Sequence, residues 1–356
     1  MGESAAAIWV LLGSRHGDNQ QLLAIAQALG MPYRAIQLQF NAASKLGPSL
    51  LGATRLSWSN RSAAPLRAPW PRVVLAAGRR SVPAARWIQR QSGGRTRLVH
   101  VNRPWAPLTW FDLVVSTPQY VLPHRDNVLV NRMPFMASEL PCAGAAMPAS
   151  LRQHEAAMPR PWTLVMVGGN SRPYVLDDSA AAGLAHRVNE EVRSSGGSAW
   201  VLGSPRTPAS AMDRIERALA VPSQVVRWGR AENPYPALRQ TAERFIVTMD
   251  SASMLSEALL SGRPVRPFPL PARPDWRWRL ATGWRAAAER APASLLARSF
   301  EALHELGWLS SVRDIGLLVR ALEAAHVFDG QGRAPELARQ ERQATVARIR
   351  RLIDAD

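Results

Sequence analysis

Cysteine and long apolar runs are the two features that the sequence most clearly lacks. Cys142 is the only cysteine among 356 residues, which excludes a disulfide framework and a cysteine-built zinc site and is typical of a reducing compartment. No apolar run reaches the roughly 18 residues that a membrane-spanning helix needs. The N-terminus, MGESAAAIWVLLGSR, has no basic region and carries an acidic residue before its short apolar run. We therefore expect no signal peptide and a cytoplasmic location.

Lysine is almost absent as well, although the chain is strongly basic. Lys45 is the only lysine among 44 basic residues, which stand against 27 acidic residues and give a net charge of +17. A GC-rich codon bias would explain the ratio of arginine to lysine but not the surplus of positive charge. The surplus favours phosphate-rich partners, such as nucleotides or an anionic membrane surface. The absence of zinc-finger spacing, a basic zipper helix and an RNP-like strand argues against nucleic acid.

The length and the composition predict two folded domains. A chain of 356 residues exceeds what one hydrophobic core usually serves. Hydrophobic residues make up 47% and charged residues 20%, a globular balance that differs from that of disordered chains.

Short apolar runs alternate with helical stretches in two series. Runs that are apolar throughout are typical of buried strands in a parallel sheet. The first series comprises IWVLL (8–12), RVVLAAG (72–78), TRLVHVN (96–102), FDLVVST (111–117) and NVLVNR (127–132), with a helix at 19–30 that ends at Gly30. The second comprises TLVMVGG (163–169), SAWVLGS (198–204), SQVVRWG (223–229), RFIVTM (244–249) and PVRPFPL (264–270), with helices near 178–195, 209–220 and 235–242.

The two series predict two facing, doubly wound (Rossmann-like) α/β domains with a helical C-terminal tail. We place an N-terminal domain at 1–140 and a linker rich in Pro and Ala at 141–161. A C-terminal domain at 162–330 and a final amphipathic helix at 331–356 complete the predicted organisation.

Ligands of open α/β sheets bind beyond the carboxyl ends of the strands, where two polar loops of the first domain are predicted to lie. The loop after the first strand contains Arg15, His16 and Asp18. His16 is the only residue in this loop that could exchange a proton near neutral pH, and Asp18 could orient it or serve instead. An ordinary capped strand–helix turn would also explain the loop. Arg79 and Arg80 precede a helix and could hold a phosphate or carboxylate, or form a solvated basic turn.

The second domain has more such loops. They differ from GxGxxG and from GxxxxGK[ST], which disfavours classical NAD binding and P-loop chemistry. Helix capping would explain each loop alone, but several at one sheet edge favour a nucleotide site, in which Glu257 would accept hydrogen bonds from a ribose diol. The candidate nucleotide-binding residues are Gly169, Asn170, Ser171, Arg206, Thr207, Asp250, Ser251, Ser253, Met254 and Glu257.

Six stretches carry a resemblance to a known family. They are GSRHGDNQQLLAIAQALG, AAGRRSVPAA, the run from VHVNRPWAPLTWFDLVV to NVLV, MVGGNSRPYVLDD, GSPRTP and VTMDSASMLSEALLSGRPV, and the last is the most specific. The chain resembles the family of a plant mitochondrial-fission factor known for an elongated-mitochondria phenotype, whose bacterial members are described as glycosyltransferases. That family is similar in turn to GT-B glycosyltransferases.

The resemblance implies a GT-B-like fold and a transfer of sugar from a nucleotide sugar to an acceptor hydroxyl, with a lipid-linked or envelope-glycan acceptor. The C-terminal domain would hold the donor, with Glu257 on the ribose, and the N-terminal domain would present the acceptor and the base. His16 or Asp18 would be the catalytic base, and Arg15, Arg79 and Arg80 would contact the acceptor or a phosphate. We expect no cofactor and no metal, since Asp177 and Asp178 are adjacent and do not form a DxD motif.

The same resemblance implies a rival function, because the plant factor recruits a partner protein to a membrane. This chain could be a non-catalytic adaptor that retains the fold. The segment 275–285, DWRWRLATGWR, interleaves three tryptophans with three arginines. Tryptophan favours the headgroup level of a bilayer and arginine favours anionic lipids, which predicts peripheral attachment to the inner face of the cell membrane. Alternatively, the tryptophans pack the helical tail against the second domain.

Overall fold

The computed structural model describes residues 6–59, 66–136, 145–229, 232–308 and 313–355. Cys142 and the first residues of the predicted linker lie outside this part of the chain. The chain divides into two compact units. The first unit is Met1–Ala137, Arg279–Asp314 and Arg339–Asp356, and the second unit is Ser138–Trp278 and Ile315–Ala338.

The first unit contains a parallel sheet of six strands in the order β2-β1-β3-β4-β5-β6. Its strands are β1 (Ile8–Leu12), β2 (Tyr33–Gln37), β3 (Val73–Ala77), β4 (Arg97–Val101), β5 (Leu113–Ser116) and β6 (Val128–Val130). The register aligns Val10 of β1 with Ala35 on one side and with Leu75 on the other. The α-helices between these strands are α1 (His16–Leu29), α2 (Pro48–Leu51) and α3 (Val82–Gln91) in the described part of the chain.

Strand β2 is the element of this sheet that the apolar pattern did not predict. It is an edge strand, and only Ile36 of its five residues is buried. An edge strand with one buried side chain has no continuous apolar run, so the pattern that reveals the central strands is missing. Helix α1 ends at Gly30 as predicted, in a left-handed conformation with φ 66°, but it begins at His16 rather than at residue 19.

The second unit contains a parallel sheet of five strands in the order β11-β10-β7-β8-β9. Its strands are β7 (Trp162–Val167), β8 (Ser198–Gly203), β9 (Ser223–Val226), β10 (Arg244–Thr248) and β11 (Val265–Phe268). The α-helices that the structure describes between residues 145 and 268 are α4 (Arg152–Ala157), α5 (Asp178–Ser195), α6 (Ala209–Ala218), α7 (Tyr235–Thr241) and α8 (Ala252–Leu259). The prediction of two α/β domains built on parallel sheets is therefore confirmed.

The described residues after 275 contain four helices: α9 (Trp276–Arg290), α10 (Leu295–Glu305), α11 (Ile315–Glu323) and α12 (Arg333–Asp354). Helix α12 ends in the first unit, where Ile349 and Ile353 are buried in the core beside β1 and β3. The Glu341 carboxylate of the same helix accepts hydrogen bonds from the backbone N–H groups of Arg132 (2.7 Å) and Met133 (3.0 Å). The division into units thus differs from the predicted boundaries at 162–330 and 331–356, because apolar and polar contacts attach 279–314 and 339–356 to the first unit.

Both sheets reverse their strand order at one point, and these switch points locate the candidate sites. In the first unit the chain leaves β1 for β2 on one side and then crosses to β3 on the other. In the second unit it proceeds from β7 through β8 to β9 and then crosses to β10. The loops after β1 and β3, and those after β7 and β10, therefore diverge and leave a crevice in which α/β proteins bind ligands.

Candidate functional site

A cavity of about 520 Å³ lies at the switch point of the first unit. The loops that follow β1, β3 and β4 supply most of its walls, as the rule for open α/β sheets predicts. Its lining includes Gly13, Arg15, Asp18, Phe40, Gly78, Arg79, Arg80, Asn102, Arg103, Trp105 and Tyr120.

Asp18 is the acidic residue among the described residues that line this cavity. It lies in the first turn of α1, and Asn102 at the end of β4 donates a hydrogen bond from Nδ2 to its Oδ1 (3.0 Å). Burial raises the pKa of the Asp18 carboxyl, while the positive charge of Arg15, the Asn102 hydrogen bond and the charge of Arg313 oppose the rise. A carboxyl group with a raised pKa is a better proton acceptor at neutral pH than an ordinary aspartate, provided that it is ionised.

His16, the other candidate base, has a different environment. It is the first residue of α1 and its side chain is exposed. Its Nε2 atom lies 3.4 Å from Nε2 of Gln20, one helical turn further on, and His16 is not among the described residues that line the cavity. The start of the helix at residue 16 causes this separation, because residues 16 and 18 then point to different sides of the first turn.

The arginines of the cavity come from three loops. Arg79 and Arg80 are exposed and form a 3₁₀ turn with Ser81 directly after β3. The Ser81 hydroxyl lies 2.8 Å from the carbonyl oxygens of Ala77 and Gly78 and holds this turn against the strand end. Together with Arg15, both arginines contribute to the cavity wall, so the structure brings the three predicted arginines to one cavity.

Arg103 is a fourth arginine of the cavity that the sequence analysis missed. It is 3% exposed, and its guanidinium carbon lies 4.5 Å from the centre of the Trp105 ring. Burial lowers its pKa to about 10. Arg103 directly follows the predicted strand at 96–102. The rule that ligands bind beyond the carboxyl ends of the strands could therefore have identified it from the sequence.

The wall of the cavity also depends on a segment distant in sequence. The side chain of Arg313 donates from Nε to Oε1 of Gln119 (3.1 Å), next to the cavity residue Tyr120. Burial raises the pKa of the Tyr120 hydroxyl. Nearly 200 residues separate Arg313 from Gln119 in the chain, and no local pattern indicates such a contact.

In the second unit, Asp250 is the centre of a compact polar cluster beyond β7 and β10. Its side chain has no exposed surface. Thr248 donates to Oδ1 (2.7 Å), and Oδ2 accepts from the Arg206 guanidinium (2.7 Å) and from the Gly169 N–H (3.2 Å). Burial raises the pKa of the Asp250 carboxyl, and these three donors oppose the rise. The predicted residues Gly169, Arg206 and Asp250 are thus in direct contact.

The glycine pair of this cluster is required by close packing within the chain. A Cβ atom on Gly168 would lie 1.9 Å from Oδ1 of Asp250, and one on Gly169 would lie 2.0 Å from the carbonyl oxygen of Arg206. Neither position can hold a side chain without movement of its neighbours. These glycines therefore let the loop after β7 approach the loops after β8 and β10.

Several predicted residues support these loops. Asn170 accepts from the Leu176 N–H (3.0 Å), and Ser171 pairs with Tyr174 through two backbone hydrogen bonds. The Thr207 hydroxyl lies 2.9 Å from the Val167 carbonyl oxygen and contacts that of Gly168.

The helix that follows β10 carries the remaining predicted residues. Ser251 is the N-cap of α8 and accepts from the Met254 N–H (3.5 Å). Ser253 and Met254 are half-buried in the first turn of that helix.

Glu257 lies on the same helix and has a partner that the sequence analysis did not assign. The Tyr235 hydroxyl at the start of α7 donates to Oε2 of Glu257. The loop before α7 borders a cavity of about 220 Å³, whose lining includes Trp228, Glu232 and Asn233. Trp228 is 58% exposed, so an aromatic face is accessible at this cavity.

The tryptophan-rich segment 275–285 divides into exposed and packed residues. Trp276 and Leu280 are exposed, one turn apart on α9. Trp284 packs edge-on against Phe300 at 6.1 Å and donates its indole N–H to the Leu296 carbonyl oxygen (3.0 Å). Arg285 pairs with Asp314 (3.3 Å) within the first unit, so part of the segment serves packing.

Within the described ranges, no group of three or more His, Cys, Asp or Glu side chains could hold a metal ion. In the same part of the chain, no helix combines the length and the apolarity needed to cross a bilayer.

Comparisons with known proteins give two relatives and many structures of similar fold. The mitochondrial fission protein ELM1 of Arabidopsis thaliana is 27% identical over 66% of this chain, and the match spans 58% of that protein. An uncharacterized protein of Rickettsia prowazekii is 23% identical over 73% of this chain and 82% of its own length. The crystal structure of MurG from Acinetobacter baumannii covers 97% of this chain and 99% of its own at 12% identity, with a TM-score of 0.43.

The profile of the family described as mitochondrial fission ELM1 matches residues 16–305. This range includes every residue singled out at the two candidate sites except Gly13, Arg15 and Arg313. The chain belongs to the mitochondrial fission ELM1 family.

Proposed function

We propose that the protein is a glycosyltransferase that moves a sugar from a nucleotide-sugar donor to an acceptor hydroxyl. The observation that carries this proposal is the meeting of Gly169, Arg206 and Asp250 at the switch point of the second unit, with Glu257 on the adjoining helix. A switch point that combines a guanidinium, a helix N-terminus and a carboxylate has the groups that recognise a nucleoside diphosphate.

Each part of a nucleotide has a matching feature in the second unit. The N-terminus of α8 at Ser251 and the guanidinium of Arg206 favour the diphosphate by charge and hydrogen bonding. Glu257 would accept hydrogen bonds from the ribose diol, with Tyr235 fixing its position. The exposed ring of Trp228 beside the cavity of about 220 Å³ would stack on the base.

In the proposed reaction, Asp18 is the catalytic base. The carboxylate would remove the proton from the acceptor hydroxyl as the oxygen attacks the anomeric carbon of the sugar. The bond from that carbon to the diphosphate oxygen breaks, and the electron pair leaves with the nucleoside diphosphate. Arg206 and the N-terminus of α8 would stabilise the departing negative charge. The burial of Asp18 and its hydrogen bond from Asn102 favour it over the exposed His16.

A thermal-shift screen with UDP-, GDP-, ADP- and CMP-sugars tests the donor site. A ligand that binds only the folded state raises its stability by an amount that grows with concentration above Kd, about 2.7 kcal/mol at 100 times Kd. We expect one nucleotide to raise the melting temperature, and we expect the Glu257→Ala variant to lose that rise. If none of the four nucleotides changes the melting temperature of the wild-type protein, the proposed activity is wrong.

One observation favours a second candidate function, a non-catalytic adaptor at a membrane surface. Six large apolar side chains between residues 276 and 308 are exposed, and four arginines in the same stretch, Arg277, Arg279, Arg290 and Arg298, are exposed too. The exposed apolar residues are Trp276, Leu280, Leu295, Leu296, Leu306 and Trp308. Apolar side chains among arginines suit the interface of an anionic bilayer, where each arginine contributes about 1 kcal/mol.

Vesicle sedimentation at low and high salt tests the membrane part of this candidate. We expect binding to anionic vesicles but not to neutral ones, weaker binding at high salt, and loss of binding in the Leu295→Ser/Leu296→Ser variant. Both side chains are exposed, so this variant should fold, and Trp284→Ala would disturb packing instead. A wild-type protein that stays in the supernatant with anionic vesicles at low salt contradicts membrane attachment. A protein that sediments with vesicles but binds no nucleotide favours the adaptor.

A further inference from the structure

The cavity of the first unit carries more positive charge than a neutral acceptor requires. The described residues of its lining include four arginines, Arg15, Arg79, Arg80 and Arg103, and one acidic residue, Asp18. We propose that this cavity binds a phosphate or diphosphate ester, and that the acceptor carries this group. Its role as the acceptor rests on the proposed function, whereas the binding of the anion does not.

Arg103 distinguishes this cavity from a solvated basic turn. A basic turn would have all of its guanidinium groups in water, but Arg103 is buried and lies against the Trp105 ring. Burial lowers its pKa only to about 10, so the side chain stays charged at neutral pH. A charge that has already lost most of its water interacts more strongly with an anion than an exposed one does, because the local dielectric constant is lower.

The backbone around Arg103 is held in an uncommon conformation. Asn102 and Trp105 both have positive φ angles, 65° and 58°, which are rare for residues other than glycine and are frequent at ligand sites. The residue Gly307 packs so closely on this segment that a Cβ there would lie 2.3 Å from the Ala106 nitrogen. The segment is therefore fixed before any ligand arrives, which lowers the entropic cost of binding.

The size and lining of the cavity indicate an ester rather than a free phosphate ion. A phosphate group needs only a few times the roughly 30 Å³ that one water molecule occupies, and the cavity has about 520 Å³. The remaining space borders Phe40, Trp105 and Tyr120, which could contact the organic part of an ester. Among the described lining residues, the exposed arginines Arg15, Arg79 and Arg80 outnumber the carboxylate of Asp18, which favours a diphosphate over an anion of single charge.

Titration calorimetry of the full chain with inorganic pyrophosphate tests the anion site. We expect binding at low salt that weakens as salt rises, and a loss of at least tenfold in affinity in the Arg79→Ala/Arg80→Ala variant. Both residues are exposed, so their removal should leave the fold intact. Arg90→Ala is the matched control, because it removes an exposed arginine at the other end of α3. Absent binding to the wild-type protein, or unchanged affinity in the double variant, overturns the proposal.

Two further measurements identify the source of the phosphate and show which of the two proposals fails. Tighter binding of geranyl diphosphate than of pyrophosphate indicates a lipid-borne diphosphate, and equal binding indicates a soluble ester. If pyrophosphate binding depends on Arg79 and Arg80 while no nucleotide sugar binds, the proposed function fails and the anion site stands. If pyrophosphate binding is lost in Arg206→Ala but kept in the double variant, the anion site belongs to the second unit and this proposal is wrong.

Discussion

The guanidinium of Arg206 lies 2.7 Å from a carboxylate oxygen of Asp250. Asp250 is fully buried, whereas the Arg206 side chain is 42% exposed. The arginine thus neutralises a charge inside the protein while part of it still contacts solvent. A donor diphosphate would share Arg206 with Asp250, so the carboxylate would orient the guanidinium and limit its reach.

The first prediction concerns Gly168, whose lack of a side chain leaves space for the Asp250 carboxylate. The Gly168→Ala variant should be destabilised by about 1–3 kcal/mol or more, because the added methyl group would overlap the carboxylate and overpacking of a rigid site has this magnitude. Urea unfolding measures the change. Gly183→Ala is the control, since its Cβ would make only ordinary contact with Phe268 at 3.7 Å. Gly183 lies inside α5. Its replacement by alanine should raise the free energy of unfolding by up to about 1 kcal/mol, because alanine has the higher helix propensity. Equal effects of the two substitutions would contradict the packing of the loop.

The second prediction concerns ribose recognition. Glu257→Ala should weaken binding of the nucleotide found in the thermal-shift screen by about 1–3 kcal/mol, the range for leaving hydrogen-bonding groups without partners. Tyr235→Phe should weaken it less, because the hydroxyl only positions the carboxylate. Calorimetry measures both affinities, with Glu190→Ala as the control for loss of an exposed carboxylate on α5. Unchanged affinity in a folded Glu257→Ala protein would remove this residue from the site.

The third prediction separates the two candidate bases. Asp18→Asn should lower kcat by about 10²–10⁴-fold, the usual contribution of general acid–base catalysis, while leaving nucleotide affinity nearly intact. His16→Ala should change kcat far less, because His16 is exposed and is not among the cavity residues. Gln20→Ala is the matched control for a change on the same exposed side of the helix. A large loss of activity in His16→Ala alone would reverse the assignment.

The fourth prediction concerns stability at acidic pH. Burial lowers the pKa of His304 to about 3, with a further contribution from Arg103, and lowers that of His100 to about 4. Both histidines stay neutral in the folded protein but take up a proton in the unfolded chain below about pH 6.5. The free energy of unfolding should therefore fall as pH decreases from about 6.5 to 4, because the unfolded state then binds more protons. One pKa unit corresponds to about 1.4 kcal/mol, so each histidine should contribute on the order of 3 kcal/mol.

His304→Phe provides the check on this prediction. The His304 ring stacks on Phe300 at 5.6 Å, so phenylalanine should preserve the packing while removing the titration. Urea unfolding between pH 4 and 7 should show a shallower pH dependence in the variant. Burial raises the pKa values of Asp18 and Asp250, and these two groups act in the opposite direction over the acidic range. An identical slope in the wild-type protein and the variant would show that His304 is not the source.

Sequence patterns were sufficient to predict the fold class and most of the strands. Central strands such as β1 and β7 are buried on both faces, so they appear as continuous apolar runs that need no knowledge of the partner strands. Helix α5 could be predicted at 178–195 because its caps are local: the Asp177 carboxylate accepts from the Ala180 N–H, and Gly196 takes the left-handed conformation that ends the helix. The loop residues followed from the rule that parallel strands end at one edge of the sheet.

Only the folded chain shows which of the loop residues lie together. Asn102 reaches Asp18 and Arg313 reaches Gln119 across long stretches of chain, and the pattern of neighbouring residues contains no information about such contacts. It also decided that Asp18 rather than His16 lines the cavity, since a start of α1 three residues earlier rotates the whole first turn. The amphipathic pattern of α12 predicts that one face of the helix is buried. It does not predict which part of the protein covers that face, because the hydrophobic effect is non-directional. In the structure, the helix packs on the core of the first unit, in which Ile349 and Ile353 are buried.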